Sequence, residues 1–134
     1  MEDRTIVGTA SVFKDEILLL KRVDSTEEVE VPFGGYWSIV VGSVEENEAP
    51  FKAAERELLE ETGFDPGHTL KYCYGWFDER FNFRFNLYRH DLKERLDPVI
   101  DFEHTDYKYI HRDDLDSISP MDDVLRDNLS YLFI

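Results

Sequence analysis

Apolar and polar residues fall into blocks whose period changes along the chain. Residues 5–14 are rich in β-branched and aromatic side chains, the turn Lys14-Asp15-Glu16 interrupts them, and a second apolar block fills residues 17–22. Both blocks predict strands, because such side chains pack well on a pleated surface. Residues 24–35 carry acids, Pro32 and the pair Gly34-Gly35 and predict a loop, whereas residues 36–41 predict a third strand that Gly42 ends.

Over residues 50–62 the composition shifts to Ala, Leu, Glu, Lys and Arg, with Phe51, Ala54 and Leu58 at spacings of three and four. That period predicts a helix with one buried face. Pro50 suits its first turn, the acids ahead of it suit the positive end of the helix dipole, and Gly63 suits a left-handed cap. Residues 69–77 and 81–90 predict two more strands. In the second, Phe81, Phe83, Phe85 and Leu87 alternate with Asn82, Arg84 and Asn86, so one face is core and the other polar. A strand near residues 107–110 precedes a C-terminal helix entered through Ser119-Pro120, with Asp122 and Asp123 in its first turn. Strands around a central helix, with another helix at the end and no linker or repeat, predict one α/β or α+β layered domain over residues 1–134.

Charge narrows the partners. The 134 residues are 42% hydrophobic and 14% aromatic, and 15 basic against 30 acidic side chains give a net charge of -15. The aromatic content excludes a disordered acidic chain as the main state. The charge argues against a nucleic acid polymer or an anionic membrane as partner, since both are held by Lys and Arg. A small phosphate-bearing molecule stays open, because a bound divalent cation inverts the local field. The single cysteine, Cys73, excludes an internal disulfide and reads as a small packed side chain. The first residues lack the basic start and apolar core of a secretory signal, and no apolar run approaches the roughly 18 residues of a membrane span. A soluble cytoplasmic protein is the expectation.

Glu57, Glu60 and Glu61 stand at offsets of three and four, which puts three carboxylates on one side of the helix. Like charges at that spacing destabilise an isolated helix by about 0.2–0.5 kcal/mol per pair. Two accounts stand at this point. The face is simply solvated, with Arg56 and Glu60 as an ordinary i,i+4 pair, or the carboxylates serve a hard cation such as Mg²⁺, which takes oxygen ligands from a few carboxylates plus substrate phosphates.

The surrounding residues extend the pattern. Gly42, Glu48, Arg56, Glu57, Leu58, Glu60, Glu61, Gly63 and Phe64 read G-x5-E-x7-R-E-U-x-E-E-x-G-U, with U an apolar residue. Every specified position resembles the Nudix box, and residues 16–22, Gly35-Tyr36-Trp37 and residues 102–107 resemble segments that flank it in Nudix hydrolases. The resemblance implies an α/β/α sandwich with a mixed β-sheet. It further implies a MutT-like hydrolase, dependent on Mg²⁺ or Mn²⁺, that cleaves a phosphoanhydride in a nucleoside diphosphate linked to another moiety X. It implies Glu57 and Glu61 as principal metal ligands, the Val41 carbonyl as another, and Glu60 as a further ligand or a catalytic base. Glu48 and Arg56 resemble supports of the loop and helix, Arg56 thereby joining the catalytic set, and Gly42 and Gly63 resemble the turn and the cap.

Such chemistry needs a cation that lowers the pKa of water and shields the leaving phosphate, together with a general base. Glu60, Glu103 and His104 are the candidates for the base, with Glu103 preferred because related enzymes draw a glutamate or a histidine from the downstream loop. Val40-Val41-Gly42 departs from the usual Pro-Gly-Gly, and Asn47 stands where another glycine is common; the two β-branched residues stiffen this stretch.

For substrate, Arg22 resembles an arginine that small nucleotide-cleaving members place at the end of the second strand, with Arg4 and Lys21 as further cations. Phe33, Tyr36, Trp37, Trp76 and Phe77 are candidates to stack on a base. Asp78-Glu79 lie where ADP-ribose-cleaving relatives often carry a proline. The short chain looks most like the nucleoside triphosphate pyrophosphohydrolases, which give the monophosphate and pyrophosphate. The alternative is cleavage of a nucleotide sugar or dinucleoside polyphosphate. Outside catalysis stand a Nudix domain that only binds a nucleotide, and an acidic interaction module. No heptad marks an interface, and a homodimer is the expectation carried forward.

Overall fold

The computed structural model describes residues 4–23 and 34–134, so Phe33 and most of the loop expected over residues 24–35 lie outside the described residues. Among the described residues one mixed sheet holds β1 (Arg4–Phe13), β2 (Glu16–Arg22), β3 (Trp37–Ser38), β4 (Val40–Ser43), β5 (Lys71–Asp78), β6 (Phe83–Asp91) and β7 (His104–His111). Helix α1 (Pro50–Thr62) joins β4 to β5, and β7 runs into a 3-10 segment, a short helix α2 (Asp123–Asn128) and a second 3-10 segment. α1 covers Val7, Leu18, Leu20, Val40 and Tyr88 on one face, while the C-terminal segments cover Ile6, Ala10, Ile17, Leu19, Phe85 and Leu87 on the other. This is the expected α/β/α sandwich. Cover on both faces explains why every β1 residue from Ile6 to Val12 is buried. No helix among the described residues is long and apolar enough to cross a membrane.

The sheet forks where the site will lie. β1 and β2 pair as a hairpin only at Val12↔Ile17 and Phe13↔Glu16. Further along they diverge, and the chain from Trp37 to Ser43 fills the gap: β3 pairs with β2 at Leu20↔Ser38, then β4 pairs with β1 at Thr9↔Val40. The third strand is therefore two short strands broken at Ile39, and it runs through Gly42 to Ser43 instead of stopping there. Val40 explains the departure from the glycine-rich pattern, since it is buried against Leu18, Leu20, Leu58 and Phe64. On its other edge β1 runs parallel to β6 from Arg4↔Phe83 to Val12↔Asp91.

Three further expectations need correction. Phe81 and Asn82 belong to the turn before β6, with Asn82 at φ 55, and the polar face expected on that strand ends at Asn86. Tyr88 and His90 are buried because α1 and Phe64 cover that end, and the Ser11 hydroxyl bonds His90 Nδ1 at 2.8 Å. The C-terminal helix has only six residues, with the Asp122 carboxylate accepting from the Leu125 N–H at its start. α1 has the expected ends, Pro50 in the first turn and Gly63 at φ 78 donating to the Leu59 carbonyl.

Candidate active site

The fork between β1 and β2 opens into a cavity of about 490 Å³. Arg4, Ile6, Phe83, Phe85, Trp76 and Asp78 line it from the sheet, Arg22, Tyr36 and Trp37 from the end of β2 and the approach to β3, and Val41, Gly42 and Ser43 from β4. Glu57 of α1 and Glu103 complete the wall nearest the helix, and Arg80, Asp122 and Leu125 lie on the wall formed with α2. Of the expected substrate residues, Arg22, Tyr36, Trp37 and Trp76 all face this space; Lys21 and Phe77 are not among the lining residues. Trp37 is largely buried beneath the Lys108 ammonium, 4.2 Å from the ring centre, and Trp76 stacks on Phe85 at 4.4 Å. Among the described residues neither Arg4 nor Arg22 is ion-paired, whereas Arg80 is saturated by Asp78 and Asp122.

Gly42 is present for a reason other than a turn. An alanine Cβ there would lie 2.0 Å from Glu57 Cδ and 2.3 Å from its Cγ and Oε1, so the absent side chain is the seat of the Glu57 carboxylate. Arg56 organises the rest of this strand-loop-helix. Its Nε and Nη2 bind Glu48 at 2.9 and 3.0 Å, Nη2 also donates to the Ser43 carbonyl at 3.1 Å, and Nη1 donates to Glu57 at 2.9 Å and to Glu60 at 3.4 Å. The Arg56 guanidinium and the Glu45 N–H together hold the Glu48 carboxyl down at about 2. Asn47 occupies φ 63, a conformation asparagine tolerates better than most residues, which is why it can stand in for glycine.

The three helix carboxylates have different surroundings. Glu60 is 54% exposed, held by Arg56, and outside the cavity lining. Glu57 is half-buried on the cavity wall. Glu61 is 1% exposed, and among the described residues neither of its oxygens has a hydrogen-bond partner. Burial first, then the adjoining Glu57 carboxyl, through close side-chain approach as well as charge, and then the charges of Glu103 and Asp101 push its carboxyl up to about 10. A carboxyl group that is buried and surrounded by like charge keeps its proton unless a counter-ion joins it, so this one is a place for a cation. Among the described residues no three acidic, His or Cys side chains already converge as a metal cage, and Arg56 engages Glu57 and Glu60. The all-oxygen donor set fits a hard divalent cation once those carboxylates leave Arg56.

His104, read as a surface loop residue or a base, is neither exposed nor on the cavity. Its side chain has no exposed area, with Nδ1 2.8 Å from Asp101 Oδ1 and Nε2 3.5 Å from Glu61 Oε1. Glu103 does line the cavity, and its carbonyl accepts from the Val23 N–H at 2.8 Å, tying it to the end of β2 beside Arg22. The Asp78–Arg80–Asp122 bridge escaped sequence reading. Asp78 and Arg80 are neighbours two positions apart, but Asp122 is 42 positions from Arg80, so only folding brings the third member to them.

A strand, a loop pinned by Glu48 and Arg56, and a helix presenting glutamates beneath an open cleft are the arrangement of a Nudix domain. The NUDIX domain model matches residues 3–131, and the chain belongs to the Nudix hydrolase family. An RNA pyrophosphohydrolase of Bartonella clarridgeiae is 26% identical over 83 residues, 62% of this chain and 47% of that protein. The chain thus spans about half the length of the curated relative it matches. The NUDIX domain of Shewanella oneidensis NrtR, solved with ADP ribose, superposes with a TM-score of 0.77 at 17% identity, over 98% of this chain and 86% of that one. The MutT protein of Methanosarcina mazei Go1 gives 0.75 at 19% identity, covering 98% and 95%. The E. coli dihydroneopterin triphosphate pyrophosphohydrolase gives 0.71 at 21%, covering 94% and 92%. At these identities the likeness establishes the fold.

Proposed function

We propose that this chain hydrolyses the phosphoanhydride of a nucleoside diphosphate linked to X, with a nucleoside triphosphate as substrate and the monophosphate and pyrophosphate as products. The observation that carries this reading is the buried, unpartnered Glu61 carboxylate beside Glu57 and Glu103, at the helix wall of a cleft that also offers Arg4, Arg22 and aromatic rings. Glu57 and Glu61, with Glu60 and the Val41 carbonyl, would hold Mg²⁺ or Mn²⁺, which when bound lowers the pKa of water and shields phosphate charge. Arg56 keeps the helix carboxylates and the loop in register through Glu48 and Ser43. Arg22 and Arg4 attract the polyphosphate, and Tyr36, Trp37 and Trp76 supply apolar contact for the base. Glu103 is the general base: it lines the cavity and is free of Arg56, unlike Glu60, and unlike His104 it is accessible.

A substrate panel with Mg²⁺ tests this directly: nucleoside triphosphates, nucleotide sugars, ADP ribose, dinucleoside polyphosphates and 5′-triphosphorylated RNA, scored for phosphate and pyrophosphate release. Nucleoside triphosphates are expected to lead. The RNA end shares their triphosphate, but the net charge of -15 opposes binding of the following polyanion. Glu57→Gln and Glu61→Gln are expected to lower kcat/KM by about 100-fold or more. Unchanged turnover in both variants would remove the metal-site assignment.

A further inference from the structure

Two buried polar atoms face each other beneath the site without a partner. His104 Nε2 and Glu61 Oε1 are 3.5 Å apart, slightly beyond a formed hydrogen bond, and among the described residues neither has any other. A polar group left unsatisfied in the interior costs about 1–3 kcal/mol, so a facing pair of this kind calls for a role. The ring is not free to turn away. Its Nδ1 is held by Asp101 Oδ1 at 2.8 Å, and the same carboxylate oxygen accepts from the Glu103 N–H at 3.2 Å. The His104 N–H donates to the Asp101 carbonyl at 3.2 Å, which closes this turn at the start of β7. Asp101, Glu103 and His104 thus form one rigid corner whose inner side is the His104 ring. Residues 102–104 place the two neighbouring side chains on opposite sides of that corner, Glu103 toward the cavity and His104 inside against α1.

We infer that His104 is the positioning residue for the Glu61 carboxylate. Oriented by Asp101, its Nε2 fixes the near oxygen of Glu61 and leaves the other free for the cation, as outer partners commonly do for ligating groups. Through the shared Asp101 carboxylate the same corner sets the distance between Glu61 and Glu103. The inference rests on the metal reading of Glu61 and adds to it a residue that never meets substrate.

Two substitutions separate the ring's nitrogens. An asparagine amide reproduces Nδ1 and can keep the Asp101 bond while vacating the place of Nε2; a glutamine amide reproduces Nε2 and can still reach Glu61. Mn²⁺ affinity of the full chain, read by electron paramagnetic resonance without nucleotide, is measured for His104→Asn, His104→Gln, Glu61→Gln and wild type, alongside metal-free Tm. His104→Asn is expected to weaken Mn²⁺ binding by about tenfold or more, and His104→Gln to restore most of it at a comparable Tm. Wild-type affinity in His104→Asn, or equal losses in Asn and Gln variants that follow their Tm, overturns the positioning role. Wild-type affinity in Glu61→Gln overturns the metal reading itself, and this inference with it.

Discussion

Replacing Gly42 with alanine separates the geometry of the site from the stability of the fold. The added Cβ would lie 2.0 Å from Glu57 Cδ, and ordinary contact begins at 3.4 Å, so the carboxylate must retreat by about 1.4 Å. Retreat is cheap for the fold. Glu57 loses its bond to Arg56, worth up to about 1 kcal/mol at a partly exposed site. Against that, Gly42 is not in the left-handed region, so alanine reduces the freedom of the unfolded chain and returns about 0.4–1 kcal/mol. The net change in unfolding free energy is expected within about 1 kcal/mol. The site is far less tolerant, because a misplacement of about 1 Å costs on the order of 100-fold in rate. Urea unfolding and kcat/KM with Mg²⁺ on the preferred nucleotide measure the two effects on one sample. A stable Gly42→Ala variant that keeps activity within about threefold would refute the argument that this glycine exists to seat Glu57.

Two further outcomes follow from charge. Folding raises the Glu61 carboxyl from 4.5 to about 10, so between these values the metal-free folded state holds a proton that the unfolded chain releases. Stability should therefore fall as pH rises through that window, by at most about 1.4 kcal/mol per pH unit from this group. Urea unfolding in EDTA should show a shallower pH slope for Glu61→Gln than for wild type; equal slopes would mean that Glu61 carries no such proton. Arg80→Ala strands the buried Asp78 carboxylate and cuts its bridge to Asp122. The expected loss is about 2 kcal/mol, below the figure for a fully buried pair because Arg80 is partly exposed. A change under about 0.5 kcal/mol in the same assay would show the bridge to be incidental.

Most elements were legible in the sequence because their signals are local. The limits of α1 follow from Pro50, Gly63 and a three-four spacing that any helix must honour. The errors arose where distant chain segments decide an outcome. Nothing local says that Ile39 is where pairing passes from β2 to β1, since that depends on how far the hairpin has opened. Tyr88 and His90 lie on a face read as polar, and only the approach of α1 and Phe64 makes it interior.

The sequence by itself determined which residues could do chemistry: three carboxylates fall on one helix face because the helix repeat leaves no alternative, and the complete box from Gly42 to Phe64 names the family. Tertiary structure decided the surroundings of each. It separated Glu60, exposed on Arg56, from Glu61, buried and unpartnered, although the two are neighbours in the chain. It turned Gly42 from a presumed turn into a seat for Glu57, and His104 from a loop residue into the inner wall of the Glu103 corner. The reason is physical. Spacing fixes the direction in which a side chain leaves its own element, whereas burial, counter-charge and clearance belong to whatever other segment packs against it.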